Sequence, residues 1–210
     1  MNNNRNNLLH EGLRVGDHVC SIYKYSIEQI LTTADFFIPA LNKGIKCIYI
    51  SSQTSRDLLI EEFDKRGVDS KRFIESGQLL LLDTKDVYHL TNNTMNTKLI
   101  LKSIESMKEQ AVKEGYISVK VVGELPLLLD KPIDGNSIVN YEQTIDKFIP
   151  AWKITAICQY NEMKYKPDIL SKIIANHTHV EIYGNLYKNN SYKDYSGKSY
   201  KEMMDRIITG

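Results

Sequence analysis

The feature that most constrains this chain is an alternation. From Gly16 onward, short apolar runs bounded by turn residues alternate with longer segments whose apolar residues recur at helical spacing. A short apolar run suits a strand buried on both faces, and a helical segment between two such runs is the crossover of a βαβ unit. The pattern repeats about five times, which predicts one α/β domain: a mostly parallel sheet in three layers, with helices on both faces.

His18–Tyr23 is expected as the first strand, followed by a helix opening on a Ser26–Gln29 capping box. That helix carries Ile30, Leu31, Ala34, Phe37, Ile38 and Leu41 to a stop at Gly44, with Pro39 kinking its last turns. Cys47–Ser51, Leu79–Leu82, Ile117–Val122, Ile154–Tyr160 and His179–Tyr183 read as further strands. Helices are expected from a Thr54 cap to Gly67, from near Thr97 to Gly115, from Ser137 through Ile138, Tyr141, Ile145 and Phe148, and after Pro167. Leu125–Gly135, with Pro126 and Pro132, reads as an irregular loop at the sheet edge. Residues 1–11 are expected to be disordered, 12–184 to form the domain, and 185–210 to be a polar Tyr/Lys-rich tail. Within the tail, Asn185–Gly197 reads as a linker and Ser199–Ile208 as a short helix.

Composition narrows the function classes. With 210 residues the chain can bury one core but hardly two. Its 27 Lys and Arg nearly balance 26 Asp and Glu, so no global field draws it to nucleic acid or to an anionic membrane. Cys20, Cys47 and Cys158 are widely spaced and form no CxxC pair, which fits a reducing cytoplasm better than a disulfide framework. No apolar run approaches the roughly 20 residues of a membrane span. The expected partners are a small molecule and a protein acting in trans, with self-association open.

In a RecA-like ATPase the first strand runs into a GxxxxGK[ST] loop whose amides, Lys and hydroxyl hold phosphates and Mg²⁺. Here that stretch reads Cys20-Ser21-Ile22-Tyr23-Lys24-Tyr25-Ser26, without a glycine to wrap a triphosphate. No catalytic residue and no cofactor are therefore expected, although the residues leave nucleotide and metal open. His18 and Cys20, two apart on a strand, share a face and set an imidazole beside a thiol. Ligand-binding candidates also come from the carboxyl ends of the strands, where open α/β sheets keep their crevice: Tyr23, Gln53, Glu124 and Tyr160. The only metal candidates are His18, Cys20 and the HxH pair His177 and His179, and the bland reading of each, a core thiol or an imidazole bonded to backbone, is favoured.

The motif His18-x-Cys20-x-x-Tyr23 after Gly16, the strand Val121-Val122-Gly123-Glu124, and Ile157-Cys158-Gln159-Tyr160 with His177 together resemble the MEDS family. These are sensory domains named for methanogens, methylotrophs and the dichloromethane-responsive repressor. The resemblance spans Gly12 to Gly184. It implies a degenerate RecA/KaiC-like domain that binds a small molecule, a hydrocarbon derivative, and passes the signal to a kinase, an anti-sigma factor or a transcription regulator. By that similarity His18, Cys20 and Tyr23 are the site positions. No output module is recognisable, so signalling is expected in trans. The competing readings are a KaiC-like nucleotide-binding ATPase with Glu124 as base, and an adaptor that docks a partner.

Overall fold

A computed structural model describes residues 12–125 and 133–193. The expected disordered segment 1–11, most of the proline loop and the expected helix at Ser199–Ile208 lie outside the described residues. The elements run β1 (His18–Tyr23), α1 (Ser26–Asn42), β2 (Lys46–Ser51), α2 (Gln53–Lys65), α3 (Ser70–Glu75), β3 (Leu79–Asp83), α4 (Thr84–Val87), β4 (Leu90–Thr91), β5 (Thr94–Met95), α5 (Thr97–Lys113), β6 (Val119–Glu124), α6 (Gly135–Trp152), β7 (Ile154–Asn161), α7 (Pro167–Ile174), β8 (His179–Ile182) and β9 (Asn185–Lys188).

Seven strands form one sheet in the order β3-β2-β6-β7-β1-β8-β9, parallel throughout except that β9 runs antiparallel to β8. The expected α/β class and mostly parallel sheet are therefore present, in a three-layer RecA-like arrangement. Strands buried on both faces explain why their sequences read as apolar runs rather than alternating ones. On one face α1 and α2 bring Ile30, Phe36, Phe37, Leu59 and Phe63 against Val19, Tyr49, Val122 and Ile157. On the other, α5, α6 and α7 pack Ile100, Ile104, Ile138, Tyr141, Ile145 and Ile173 against Cys20, Ile22, Ile48, Val121 and Cys158.

Three helix starts differ from expectation: α6 begins at Gly135 on an Asp134 cap rather than at Ser137, and α1 and α2 differ in their caps. The α1 box is closed by Glu28, not Gln29: its Oε2 accepts the backbone N–H groups of Lys24 and Tyr25 at 2.8 and 3.0 Å. Gln29 is buried instead and donates to the Tyr49 hydroxyl at 3.1 Å. The cap of α2 is Ser52, whose Oγ accepts from Ser55 N, rather than Thr54. The expected linker also gives way at its start, because Asn185–Lys188 is β9 and pairs with β8 from Ile182↔Asn185 to His179↔Lys188.

Candidate functional site

β1 is an inner strand of the sheet, between β7 and β8, and its first residue carries the site. The imidazole of His18 is fully buried and points to the α6 side, where β1 neighbours β7. There α6, capped by Asp134 through the N–H groups of Asn136 and Ser137, presents an inward stripe of Ile138, Tyr141, Ile145 and Ile149. Set into that stripe one turn apart are two acids, Glu142 at 0% and Asp146 at 7% exposure. Carboxylates at core positions of a helix are tolerable only with partners, and both have them.

His18 Nδ1 lies 3.4 Å from Asp146 Oδ1, while His18 Nε2 lies 3.3 Å from Glu142 Oε2 and 3.4 Å from Cys158 Sγ. His177, in the turn between α7 and β8, stacks on His18 with ring centroids 3.9 Å apart. Its Nε2 lies 3.3 Å from the same Glu142 Oε2, and its Nδ1 is 2.8 Å from the Ile173 carbonyl. Tyr160 donates its hydroxyl to Glu142 Oε1. Asp146 Oδ2 accepts the Tyr192 hydroxyl at 2.7 Å and sits 3.7 Å from Lys193 Nζ.

This packing sets the electrostatics. Burial works to lower the His18 pKa, but the Asp146 and Glu142 carboxylates outweigh it and hold His18 above its ordinary 6.5. His177 is shifted down, by burial first and then by the positive His18 beside it. Burial would raise Glu142, yet the His177 and His18 imidazoles keep it well below the usual carboxylate range. Asp146 is likewise held low against burial by His18 and Tyr192. The thiols of Cys158 and Cys20 are pushed well up by burial and by the Glu142 charge.

Of the residues singled out from sequence, His18 and Tyr160 meet on Glu142, and Cys20 stands opposite Cys158 on the same side of the sheet. Tyr23 is separated from them. Strand alternation turns it to the other face, near Glu124, and burial with that carboxylate raises its phenol pKa. Glu124 accepts Ser52 N at 3.0 Å and Ser55 Oγ at 2.9 Å, which makes it an anchor for the start of α2. Gln53 lies on the surface, bonded to Asp57 and Arg56. The HxH pair splits, because His179 turns to Thr178 and Asp17 while His177 joins the buried cluster.

Glu142, Asp146, Cys158 and Tyr192 are not among the site candidates read from sequence, although Cys158 belongs to the motif that carries the family resemblance. The available signal was the placement of Glu142 and Asp146 at positions i and i+4 inside an otherwise apolar helical stripe, which marks buried charge needing a partner.

Cys158 also lines a small cavity. Tyr88, Val121, Gly123, Tyr141, Ala156 and Cys158 are among its lining residues, and about 20 Å³ is open to the centre of a water-sized sphere. Since about 10–15 Å³ on that measure holds one water, the space suits a molecule of very few heavy atoms. Gly123 keeps it open: a Cβ there would lie 2.2 Å from the Tyr88 hydroxyl oxygen.

Fold and site define a RecA-like α/β domain in which the strand-to-helix turn after β1 is short and glycine-free, and whose buried chemistry is an imidazole–carboxylate–thiol cluster rather than a phosphate cradle. The chain belongs to the MEDS family: the MEthanogen/methylotroph, DcmR Sensory domain model matches residues 17–178. A search of curated proteins finds no match. Among the described residues no helix is long and apolar enough to cross a membrane.

Proposed function

We propose that this sensory domain is non-catalytic, takes a small apolar molecule such as a hydrocarbon derivative into the cavity between α6 and the β6–β7 strands, and signals in trans to a kinase, an anti-sigma factor or a transcription regulator. The observation that carries the reading is the cavity itself. Its wall is almost wholly apolar, and one of its residues, Cys158, also belongs to the buried polar cluster. A ligand there would press on a group coupled to His18, Cys20 and Tyr160, three of the six positions expected from sequence. Tyr23, Gln53 and Glu124 form a separate group at the carboxyl edge and have no part in this pocket. An ATPase reading has less support, because Glu124 is already engaged by Ser52 and Ser55.

The test is thermal stability against a series of one- to three-carbon halogenated hydrocarbons. A ligand that binds only the native state stabilises it by about 2.7 kcal/mol at a hundred times its Kd, and the melting temperature should rise accordingly. Val121→Phe, which fills the cavity, should abolish the rise. No shift with any member of the series, or an undiminished shift in Val121→Phe, overturns the assignment; a shift with Mg²⁺ and ATP instead would favour the nucleotide reading.

A further inference from the structure

Four ligand-type atoms converge in the buried cluster: His18 Nε2, His177 Nε2, a Glu142 carboxylate oxygen and Cys158 Sγ, all within 4.8 Å of one another. They come from β1, the α7–β8 turn, α6 and β7, so the fold rather than a local motif assembles them. We propose that these four side chains form a tetrahedral site for a divalent transition ion of the zinc type. The inference stands on geometry alone and does not depend on the small-molecule reading.

Edge lengths support it first. With zinc bonds near 2.0–2.1 Å to N or O and near 2.3 Å to S, a tetrahedron has N–O edges of about 3.3 Å and N–S edges of about 3.5 Å. Three of the six edges match, at 3.3 Å for His18 Nε2 to Glu142 Oε2, 3.3 Å for His177 Nε2 to Glu142 Oε2, and 3.4 Å for His18 Nε2 to Cys158 Sγ, and all six lie within 4.8 Å.

The second support is what the atoms lack. Glu142 Oε2 and His177 Nε2 are buried without a hydrogen-bond partner, although they are neighbours. The Ile173 carbonyl can only accept, so Nδ1 of His177 carries the proton of that bond and Nε2 of the neutral ring presents a lone pair. The two atoms face each other at 3.3 Å, and neither has a hydrogen-bond partner. A cation between the atoms satisfies both without requiring them to be collinear.

The third support is the surrounding shell. Histidines that ligate through one nitrogen hold the other against a carboxylate or carbonyl. Here His18 Nδ1 faces Asp146 and His177 Nδ1 faces the Ile173 carbonyl, leaving both Nε2 atoms turned inward. Glu142 keeps its second oxygen on the Tyr160 hydroxyl. Donors of two imidazoles, a carboxylate and one thiolate suit zinc better than magnesium or calcium, and four protein ligands make a closed site. Binding releases two protons to solvent, that of the Cys158 thiol and that of His18 Nε2, while Nδ1 of His18 keeps its proton toward Asp146, and no redox change occurs.

The experiment is cobalt(II) titration of the untagged, metal-stripped full chain. One Co²⁺ per chain should bind, with the intense visible bands of tetrahedral cobalt and a near-ultraviolet thiolate-to-cobalt band, and Zn²⁺ should displace it. Cys158→Ser should lose the thiolate band, whereas Cys20→Ser and Cys47→Ser keep it. Asp146→Asn, acting only as a positioning residue, should keep the bands and weaken the metal by about 10- to 100-fold. Should Cys158→Ser not fold, X-ray absorption of the zinc-loaded wild type decides by itself: two imidazoles, one oxygen and one sulfur are expected. The proposal is overturned by the absence of stoichiometric binding, by a spectrum without sulfur, or by a thiolate band that tracks Cys20 or Cys47.

Discussion

The Tyr160 hydroxyl is the donor that satisfies Glu142 Oε1 at the centre of the molecule. Tyr160→Phe keeps the ring, which packs edge-on to Tyr165, and removes only that donor. Leaving a buried acceptor unmade costs about 1–3 kcal/mol, so urea denaturation should show a loss of that size. Gly123→Ala tests close approach instead. The added methyl would meet the Tyr88 oxygen at 2.2 Å, and displacing a buried ring typically costs about 1–3 kcal/mol. At this scale the sequence was legible where a residue type stood out against its strand, as His18 and Tyr160 do. It was not legible where the partner came from a distant helix: nothing in the spacing of 18, 142, 158 and 177 announces a common point.

Among the elements, the parallel strands and their crossover helices could be read because each has a period of its own. β9 could not. Asn-Leu-Tyr-Lys is half polar, and an antiparallel edge strand needs only one covered side. The turn after β9 is structural as well, since Asn189 is buried and donates from Nδ2 to the carbonyls of Ile174 and His177, both at 2.8 Å. It thereby satisfies an orphan carbonyl at the end of α7. Asn189→Ala should destabilise the domain by about 1–3 kcal/mol, read as a lower midpoint in denaturant. A variant as stable as the wild type would show that this turn contributes nothing to the fold. The same turn brings Tyr192 to Asp146, so the edge of the sheet and the buried cluster share a support.

For the molecule as a whole, pH acts on stability through a third buried carboxyl, on the α1 face. Burial raises the Glu181 pKa to about 7 from 4.5, although Ser21, the Gly184 N–H and Thr32 oppose the shift by hydrogen bonding. A pKa raised by folding means that the native state binds the proton more tightly. Its stabilising contribution is full below about pH 4.5, declines as pH rises, and is lost above about 7. At 1.36 kcal/mol per pKa unit the effect is on the order of 3 kcal/mol. Denaturation curves at pH 5 and pH 8 should differ by up to that amount in the wild type, and by much less in Glu181→Gln. An unchanged difference in the variant would assign the pH dependence to another group.

The strand order has a consequence for how the chain comes to be folded. β1 is hydrogen-bonded to β7 on one side and β8 on the other, at sequence distances of roughly 140 and 160 residues. During synthesis it emerges before both partners and must wait, apolar and unpaired on both edges, until β7 and β8 have followed. Closure of the sheet is therefore the late, slow event, and it is the step that brings His18 to Glu142, Cys158 and His177. An incompletely folded chain has no such cluster, so its assembly reports that β1 has been seated between its two neighbours.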